Sequence, residues 1–320
     1  MQKKSPKHKL HRLQHKFSVP ENIKQFINVP KKKLIFIITN SGAEIRSYSM
    51  KRLKTIGSTY GTSSLLDHSI TLIDEMLVLV FSQQIILVKF TRGISTYNLF
   101  DTESFMSADF AENHQQLLFS HQKRGIVGLN LAISPPSVTT INSTLVSVKL
   151  LRYDKDSNTL LCFGAQGQLV LLHLEKKLIL NTLQAGMISP VCYLSTSKIL
   201  ITASSQRTSF GSEYAVMNFV QVSAFGLDRI GKTDSISNGW SEMRHACQVG
   251  DFAYFDVKNE YGIYELVVMH VKSGVNSQRM MLKINNKQLR FFGYCPSTHL
   301  FYFIEPNTTL LYAAHEKFVP

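Results

Sequence analysis

The feature of this chain that most restricts its fold is a pattern of short apolar runs that starts again about every forty residues. The runs are rich in Val, Ile, Leu, Tyr and Phe and are bounded by Gly, Ser, Asn, Asp or Pro, which is typical of β-strands joined by tight turns. A period near forty predicts the four-stranded blades of a β-propeller. Seven segments start 42, 40, 40, 43, 59 and 42 residues apart, near Ile23, Leu65, Phe105, Leu145, Ile188, Cys247 and Leu289.

The fourth segment shows the blade pattern most clearly. Its runs VKLLRYD, NTLLCFG, LVLLHLE and LILNTL are joined by short polar turns, with Gly164 and Gly167 between the second run and the third. This segment resembles a WD40-type blade, although the Gly-His and Trp-Asp signatures are missing from the chain. The resemblance covers residues 20–320 and is to the broad class of WD40-like propellers, with no specific family indicated. It implies an all-β fold, a seven-bladed WD40-like β-propeller with a basic N-terminal tail.

The expected organisation is a basic tail over residues 1–20 followed by a propeller over residues 21–320. The seventh segment offers three runs, LRFFGY, HLFYFIE and TLLYAAH, which is one strand short of a blade. A ring is closed when an N-terminal strand completes the last blade, because that removes an exposed edge. We expect this strand within His15 to Ile27. Six blades and an irregular segment are the alternative.

The longest interval, between the fifth and sixth segments, predicts an insertion. Residues Ser204 to Arg244 are rich in Ser, Gly and Asn, and they interrupt the regular pattern around 208–213 and 233–241. Insertions in repeat proteins emerge as loops on one face. This one is either a binding loop or a surface loop without a role.

The net charge of +13 is concentrated at the start of the chain, where no acidic residue precedes Glu21. A Lys-rich tail without acids is typical of nuclear targeting or of an arm that contacts nucleic-acid phosphates. A disordered solubilising tail is the alternative. A third reading is a basic amphipathic helix for mitochondrial import or a membrane surface, since Leu10, Leu13 and Phe17 share a helical spacing. The six basic residues of the tail are Lys3, Lys4, Lys7, Lys9, Arg12 and Lys16.

Two further basic clusters are predicted at turns between strands. They could extend a basic surface, or they could be ordinary solvated turns. The first cluster is Lys31, Lys32 and Lys33, and the second is Lys51, Arg52 and Lys54.

One segment matches the phosphate-binding pattern G-x-x-x-x-G-K-[ST], with Gly226, Gly231, Lys232 and Thr233 at its fixed positions. In a true phosphate loop, backbone N–H groups surround the phosphates and the loop opens a helix. The residues after Thr233 have no 3.6-residue apolar period, and the alternation of strands and helices that surrounds such sites is missing. A strand followed by a β-turn is the competing interpretation, and an NTPase remains an alternative function.

No other catalytic pattern is found, and the four cysteines lie far apart in or beside apolar runs. That usage predicts core thiols in a reducing compartment, with no disulfide, metal or cofactor. The longest apolar stretch is too short and too interrupted to cross a bilayer.

Together, these features predict a non-enzymatic propeller that acts as a scaffold subunit of a multi-protein complex. The WD40-like resemblance implies a nuclear or nucleolar particle for ribosome biogenesis, RNA processing or chromatin, with other proteins as partners and nucleic acid at the tail. A cytoplasmic adaptor in ubiquitin ligation or membrane traffic is the alternative.

Overall fold

In the computed structural model of the chain, the strands form seven four-stranded antiparallel sheets and one short hairpin. Predictions that concern residues outside the ranges given next stay predictions. The structure describes residues 11–12, 23–49, 51–59, 63–71, 75–100, 105–133, 137–164, 166–184, 189–194, 196–207, 213–232, 246–258, 263–271, 277–280, 283–284, 287–295, 299–305 and 311–315.

The first four sheets follow the predicted segments, and each has its strands in chain order, named a to d below. Blade one contains β2 (Ile23–Val29), β3 (Leu34–Thr39), β4 (Gly42–Ser47) and β5 (Arg52–Gly57). Blade two contains β6 (Leu65–Thr71), β7 (Met76–Phe81), β8 (Gln84–Lys89) and β9 (Ser95–Phe100). Blade three contains β10 (Phe105–Ala111), β11 (Gln116–His121), β12 (Gly125–Asn130) and β13 (Ser137–Asn142). Blade four contains β14 (Leu150–Asp154), β15 (Thr159–Phe163), β16 (Gln168–His173) and β17 (Leu178–Gln184).

The other three sheets complete the ring, and the first strand of the chain, β1 (His11–Arg12), belongs to the last of them. Blade five contains β18 (Ser189–Leu194), β19 (Ile199–Arg207), β20 (Glu213–Val222) and β21 (Leu227–Lys232). Blade six contains β22 (Ala246–Val249), β23 (Phe252–Lys258), β24 (Tyr264–His270) and β25 (Ser277–Met280). After the hairpin β26 (Lys283–Ile284) and β27 (Lys287–Gln288), blade seven contains β28 (Arg290–Cys295), β29 (Leu300–Ile304), β30 (Leu311–His315) and β1.

The turn between strands a and b shares one backbone feature in all seven blades. One residue there lies in the left-handed region, which reverses the chain sharply before strand b. In blades one and three the turn also contains a 3-10 segment, at Pro30–Lys32 and Glu112–His114. The left-handed residues are Lys33, Glu75, Gln115, Asn158, Lys198, Gly250 and His299. The forty-residue period is therefore a structural repeat, even though the side chains at these turns differ.

The core lies between neighbouring blades, with a separate apolar cluster at each of the seven interfaces. The predicted near-continuous apolar runs are strands of this core, and every residue of β7 is buried. Both faces of such a strand are covered by side chains of adjacent blades, which explains why it lacks apolar-polar alternation. Seven interfaces between seven blades require a closed ring.

The ring closes where blade seven meets blade one. Phe26 of β2 stacks on Tyr302 of β29, with ring centroids 5.3 Å apart. Gly293 allows this approach because it has no side chain. A Cβ atom at this position would lie only 2.9 Å from the Cβ atom of Phe26 and would clash with it. In addition, β1 pairs antiparallel with β30 and supplies the fourth strand of blade seven, His11 facing Ala313.

The closing strand was expected in the wrong place. It is His11–Arg12 and not a segment within His15 to Ile27, whose residues from Ile23 onward form strand a of blade one. The true strand has two polar residues at a sheet edge, so it has no apolar alternation by which to recognise it. It also shows that residues 11 and 12 are extended and do not continue an amphipathic helix.

The predicted insertion is partly regular structure. Strands β19 and β20 form a long hairpin that runs beyond the first strand of the blade, up to the pair Arg207 and Glu213. Residues 208–212 and 233–245 lie outside the described part of the chain. The fourth blade begins its first strand at Leu150, slightly later than the predicted start near Leu145. None of the helices in the described residues is long and apolar enough to cross a membrane.

Closure by β1 can be tested by truncation. Removing residues 1–12 should lower the free energy of unfolding by about 1–3 kcal/mol, since a few backbone hydrogen bonds worth about 1 kcal/mol each are lost. Removing only residues 1–10 keeps β1 and should change it by less than about 0.5 kcal/mol. Urea denaturation followed by circular dichroism measures both. Equal stabilities of the two truncated proteins would contradict closure by β1.

Candidate nucleic-acid interface

One face of the ring carries the a–b turns of all seven blades and the c–d turns of blades one to six, and we call it the turn face. Both predicted basic clusters are on it. The first is the a–b turn of blade one, whereas only Lys51 of the second lies in the c–d turn, since Arg52 and Lys54 belong to β5. Backbone hydrogen bonds hold these turns together: Tyr48 N–H donates to the Lys33 carbonyl oxygen at 3.1 Å, and Ser47 N–H donates to that of Lys51 at 3.0 Å. The folded chain therefore brings the two clusters onto one surface.

Blade two extends this surface. The Lys32 ammonium donates to the carbonyl oxygen of Thr91 at 2.6 Å, in the c–d turn of blade two. The Lys54 ammonium likewise donates to the carbonyl oxygen of Ile94 at 3.3 Å. These bonds place Arg92, which is exposed, next to the two clusters of blade one. Sequence reasoning missed Arg92, because a single arginine in a turn has no neighbouring cation to mark it.

The cations of this surface differ in whether a carboxylate neutralises them. Lys32 pairs with Glu75 at 2.9 Å, and Glu44 is held by the buried Arg46 at 2.6 Å while it lies 3.8 Å from Arg52. The exposed cations without a carboxylate partner in the described residues are Lys31, Lys33, Lys51 and Arg92. With Arg52, they define the basic patch.

Elsewhere on the turn face, two lysines are paired between adjacent blades. Lys198 of blade five lies 2.8 Å from Asp154 of blade four, and Lys155 of blade four lies 3.9 Å from Glu112 of blade three. The hydrogen bond from Lys198 lowers the pKa of Asp154 although burial raises it. Lys155 and Lys198 are thus neutralised, and the exposed Lys176 and Lys177 of blade four lie beside Glu175. The largest group of exposed cations without a carboxylate partner in the described turns is therefore at blades one and two.

The tail residues cannot be placed in the same way. Arg12 lies in β1, with its backbone paired to Tyr312, and its side chain is not described. The other five basic residues of the tail lie outside the described part of the chain. Their role in targeting or in binding phosphates remains a prediction.

The segment that matches the phosphate-loop pattern is a turn and a strand. Gly226 closes the c–d turn of blade five, and Gly231 and Lys232 lie in β21, opposite Phe219 and Asn218 of β20. Their backbone groups thus belong to a β-ladder and not to a loop that opens a helix, as phosphate binding of this kind requires. Thr233 lies outside the described residues. From Gly226 to Lys232 the backbone therefore forms a turn and a strand, as the competing interpretation predicted.

A second polar cluster lies inside the ring and joins three blades. Two nitrogens of Arg152 in blade four donate to the two carboxylate oxygens of Asp67 in blade two, at 2.8 and 3.0 Å. Ser107 of blade three donates to the same carboxylate and accepts the N–H of Leu151 at 2.8 Å. Arg152 also donates to the carbonyl oxygen of His68 at 3.1 Å. Both carboxylate oxygens of Asp67 are therefore engaged in a network that ties blades two, three and four together.

The pKa values of this cluster follow from burial and from Arg152. Burial raises the pKa of Asp67, but the charge and hydrogen bonds of Arg152 outweigh it and hold that pKa below its usual value. Burial raises the pKa of Asp109, which accepts the N–H of Tyr153 at 2.8 Å. Burial lowers the pKa of His68 to about 4, so the imidazole that contacts Gln25 is neutral at pH 7.

The described cysteine side chains fit the predicted core role. Cys162 is fully buried in blade four, and burial raises the pKa of its thiol. A thiol with a raised pKa is a poor nucleophile at neutral pH. No group of three or more metal-ligating side chains occurs in the part of the chain that the structure describes.

The comparisons with known proteins bear on the fold. No protein-family model matches the sequence, and no curated protein matches it either. The structure is similar to the Cps50 (Swd1) β-propeller domain of Myceliophteria thermophila, with a TM-score of 0.65 over 93% of this chain and 98% of that chain, at 10% identity. The protein is a WD40-like β-propeller.

A second WD40 structure agrees with this assignment. The Pan2 WD40 domain of Neurospora crassa has a TM-score of 0.61 over 91% of this chain and 88% of that chain, at 11% identity. At these identities the likeness concerns the fold alone. The predicted all-β, seven-bladed architecture is confirmed.

Breaking the charge pair inside this propeller should be costly. In Arg152→Met, the Asp67 carboxylate loses its counter-ion inside the ring, and we expect the free energy of unfolding to fall by about 3 kcal/mol or more. Arg92→Met removes an exposed arginine and should cost less than about 0.5 kcal/mol. Urea unfolding of both variants measures the difference. A loss below about 1 kcal/mol in Arg152→Met would show that the pair behaves like an exposed salt bridge.

Proposed function

We propose that this WD40-like propeller is a non-enzymatic scaffold subunit of a multi-protein complex that contains nucleic acid, in the nucleus or nucleolus. The observation that carries the proposal is the basic patch: five exposed cations of two blades, on turns fixed by backbone hydrogen bonds, of which only Arg52 has a carboxylate partner among the described residues. Such a surface attracts phosphates by releasing counterions, without reading base sequence.

The ring supplies the rigidity that a scaffold needs. Each blade is buried against two neighbours, and the turns that face solvent are free to differ between repeats. The N-terminal tail would add its cations to those of the patch, and in this proposal it acts as a second contact with the same phosphates. Partner proteins would bind other turns and edges of the ring.

The phosphate contact can be measured with a single-stranded RNA of mixed sequence and the full chain. The double variant Lys33→Glu, Lys51→Glu should weaken binding about tenfold near 0.1 M salt, and it should reduce the slope of log affinity against log salt by about 1–1.5. Fluorescence anisotropy at several salt concentrations gives both values. The matched control is Lys123→Glu, Lys149→Glu, two exposed lysines on the opposite face, and it should keep most of the affinity.

Equal losses in the two double variants would mean that net charge matters and that the basic patch does not. Loss of binding only on removal of residues 1–10 would move the contact to the tail. The scaffold role has a separate readout: the tagged chain purified from its native cells should bring stoichiometric protein partners. Recovery of the chain alone would contradict that role.

A further inference from the structure

A rigid turn on blade five presents an aromatic ring to solvent. Phe225 is 85% exposed, more than any other large apolar side chain of the described residues. The turn is fixed by Ser223, whose N–H donates to the Gly226 carbonyl oxygen at 2.9 Å and whose hydroxyl accepts the Gly226 N–H at 3.0 Å. A preorganised aromatic side chain loses little conformational entropy when a partner covers it.

The outer strand of blade four, β17, lies beside this turn. A Cβ atom at Gly226 would be 3.8 Å from the Asn181 side-chain nitrogen, and Arg229 of β21 donates to the Gln184 carbonyl oxygen at 3.5 Å. At the start of β17, Leu178 and Ile179 are 56% and 43% exposed. Because a strand rises by about 3.3 Å per residue, they lie roughly 10 Å or less along the strand from Asn181. We call Leu178 and Phe225 the edge site, because Ile179 pairs with Leu172 of the cluster between blades three and four and so lies on the other face of β17.

The edge of β17 is also open to hydrogen bonding. Within the described residues β17 pairs only with β16, so its outer N–H and C=O groups have no strand partner. Natural sheets protect such edges with charges, as β5 does with Arg52 and β21 with Asp228. β17 has no charged residue in its seven positions. The outer strands β9 and β13 are also uncharged, but each has one large exposed apolar side chain among the described ones.

The charges near the edge site indicate what could bind there. Lys176 and Lys177 are exposed just before β17, and neither has a carboxylate partner in the described part of the chain. Lys177 donates only to the carbonyl oxygen of Thr140, at 3.2 Å. Glu175 offsets one of these charges. With a net charge of +13, a second copy of the chain would be repelled, whereas an acidic segment would be attracted.

We infer that the edge site binds an extended segment of a partner protein that adds a strand to β17. The segment's backbone pairs with the free edge, its apolar side chains contact Leu178 and Phe225, and its acidic residues lie near Lys176 and Lys177. This inference names one kind of partner for the proposed scaffold, and it shares no residue with the basic patch.

The test uses the full chain and a fluorescein-labelled peptide with a Val-Thr-Val-Thr-Val core and two aspartates at each end. Binding in the micromolar range by anisotropy is expected, and Leu178→Lys or Phe225→Ala should weaken it about tenfold. The control is Val138→Lys on β13. Val138 is 58% exposed, close to the 56% of Leu178, and this variant should bind the peptide as tightly as the unmodified chain. Hydrogen exchange of the β17 amides should slow when the peptide is bound.

Four results would overturn the inference: no peptide binding up to about 1 mM, unchanged binding in both edge-site variants, equal binding of a peptide with lysines in place of the aspartates, or peptide-independent dimers that Leu178→Lys abolishes. The last result, measured by sedimentation, would assign the edge to a second copy of the chain. RNA binding by the basic patch should persist in all edge-site variants, so failure here is distinguishable from failure of the proposed function.

Discussion

Burial of apolar side chains between neighbouring blades is the interaction on which the rest of this structure depends. A single four-stranded sheet with both faces apolar cannot be stable in water, so each blade requires a neighbour on both sides. For blades one and seven this requirement is met only by closing the ring. Phe26 and Tyr302 are 276 residues apart in the chain and in contact in the fold. Non-local contact of this kind is what fixes the number of blades.

The closed ring explains how distant turns become one surface. Lys33, Lys51 and Arg92 come from three turns and two blades, and only the stacking of blade one on blade two makes them neighbours. The same geometry places Phe225 of blade five beside β17 of blade four. The two surfaces differ in chemistry, one suited to phosphates and the other to an extended acidic segment, so a scaffold could bind both at once.

Much of the fold could be predicted from the sequence. Strands that are buried on both faces have continuous apolar sequences, as β7 does, and tight turns have short polar sequences. The closing strand could not, since His11 and Arg12 form an edge without periodicity. The basic patch was predictable in part: adjacent lysines mark a turn, but Arg92 joins them only through packing. Nor could the sequence indicate that Lys32 is neutralised by Glu75, because that pair spans two blades.

The most direct test of the closed ring is a double-mutant cycle on Phe26 and Tyr302. Unfolding free energies of Phe26→Ala, Tyr302→Ala and the double variant give the coupling between blades one and seven. A closed ring predicts a coupling of about 0.5–1.5 kcal/mol, the usual value for an aromatic pair in contact. Additive losses, with a coupling near zero, would contradict closure and with it the fixed surfaces on which both proposed binding sites rely.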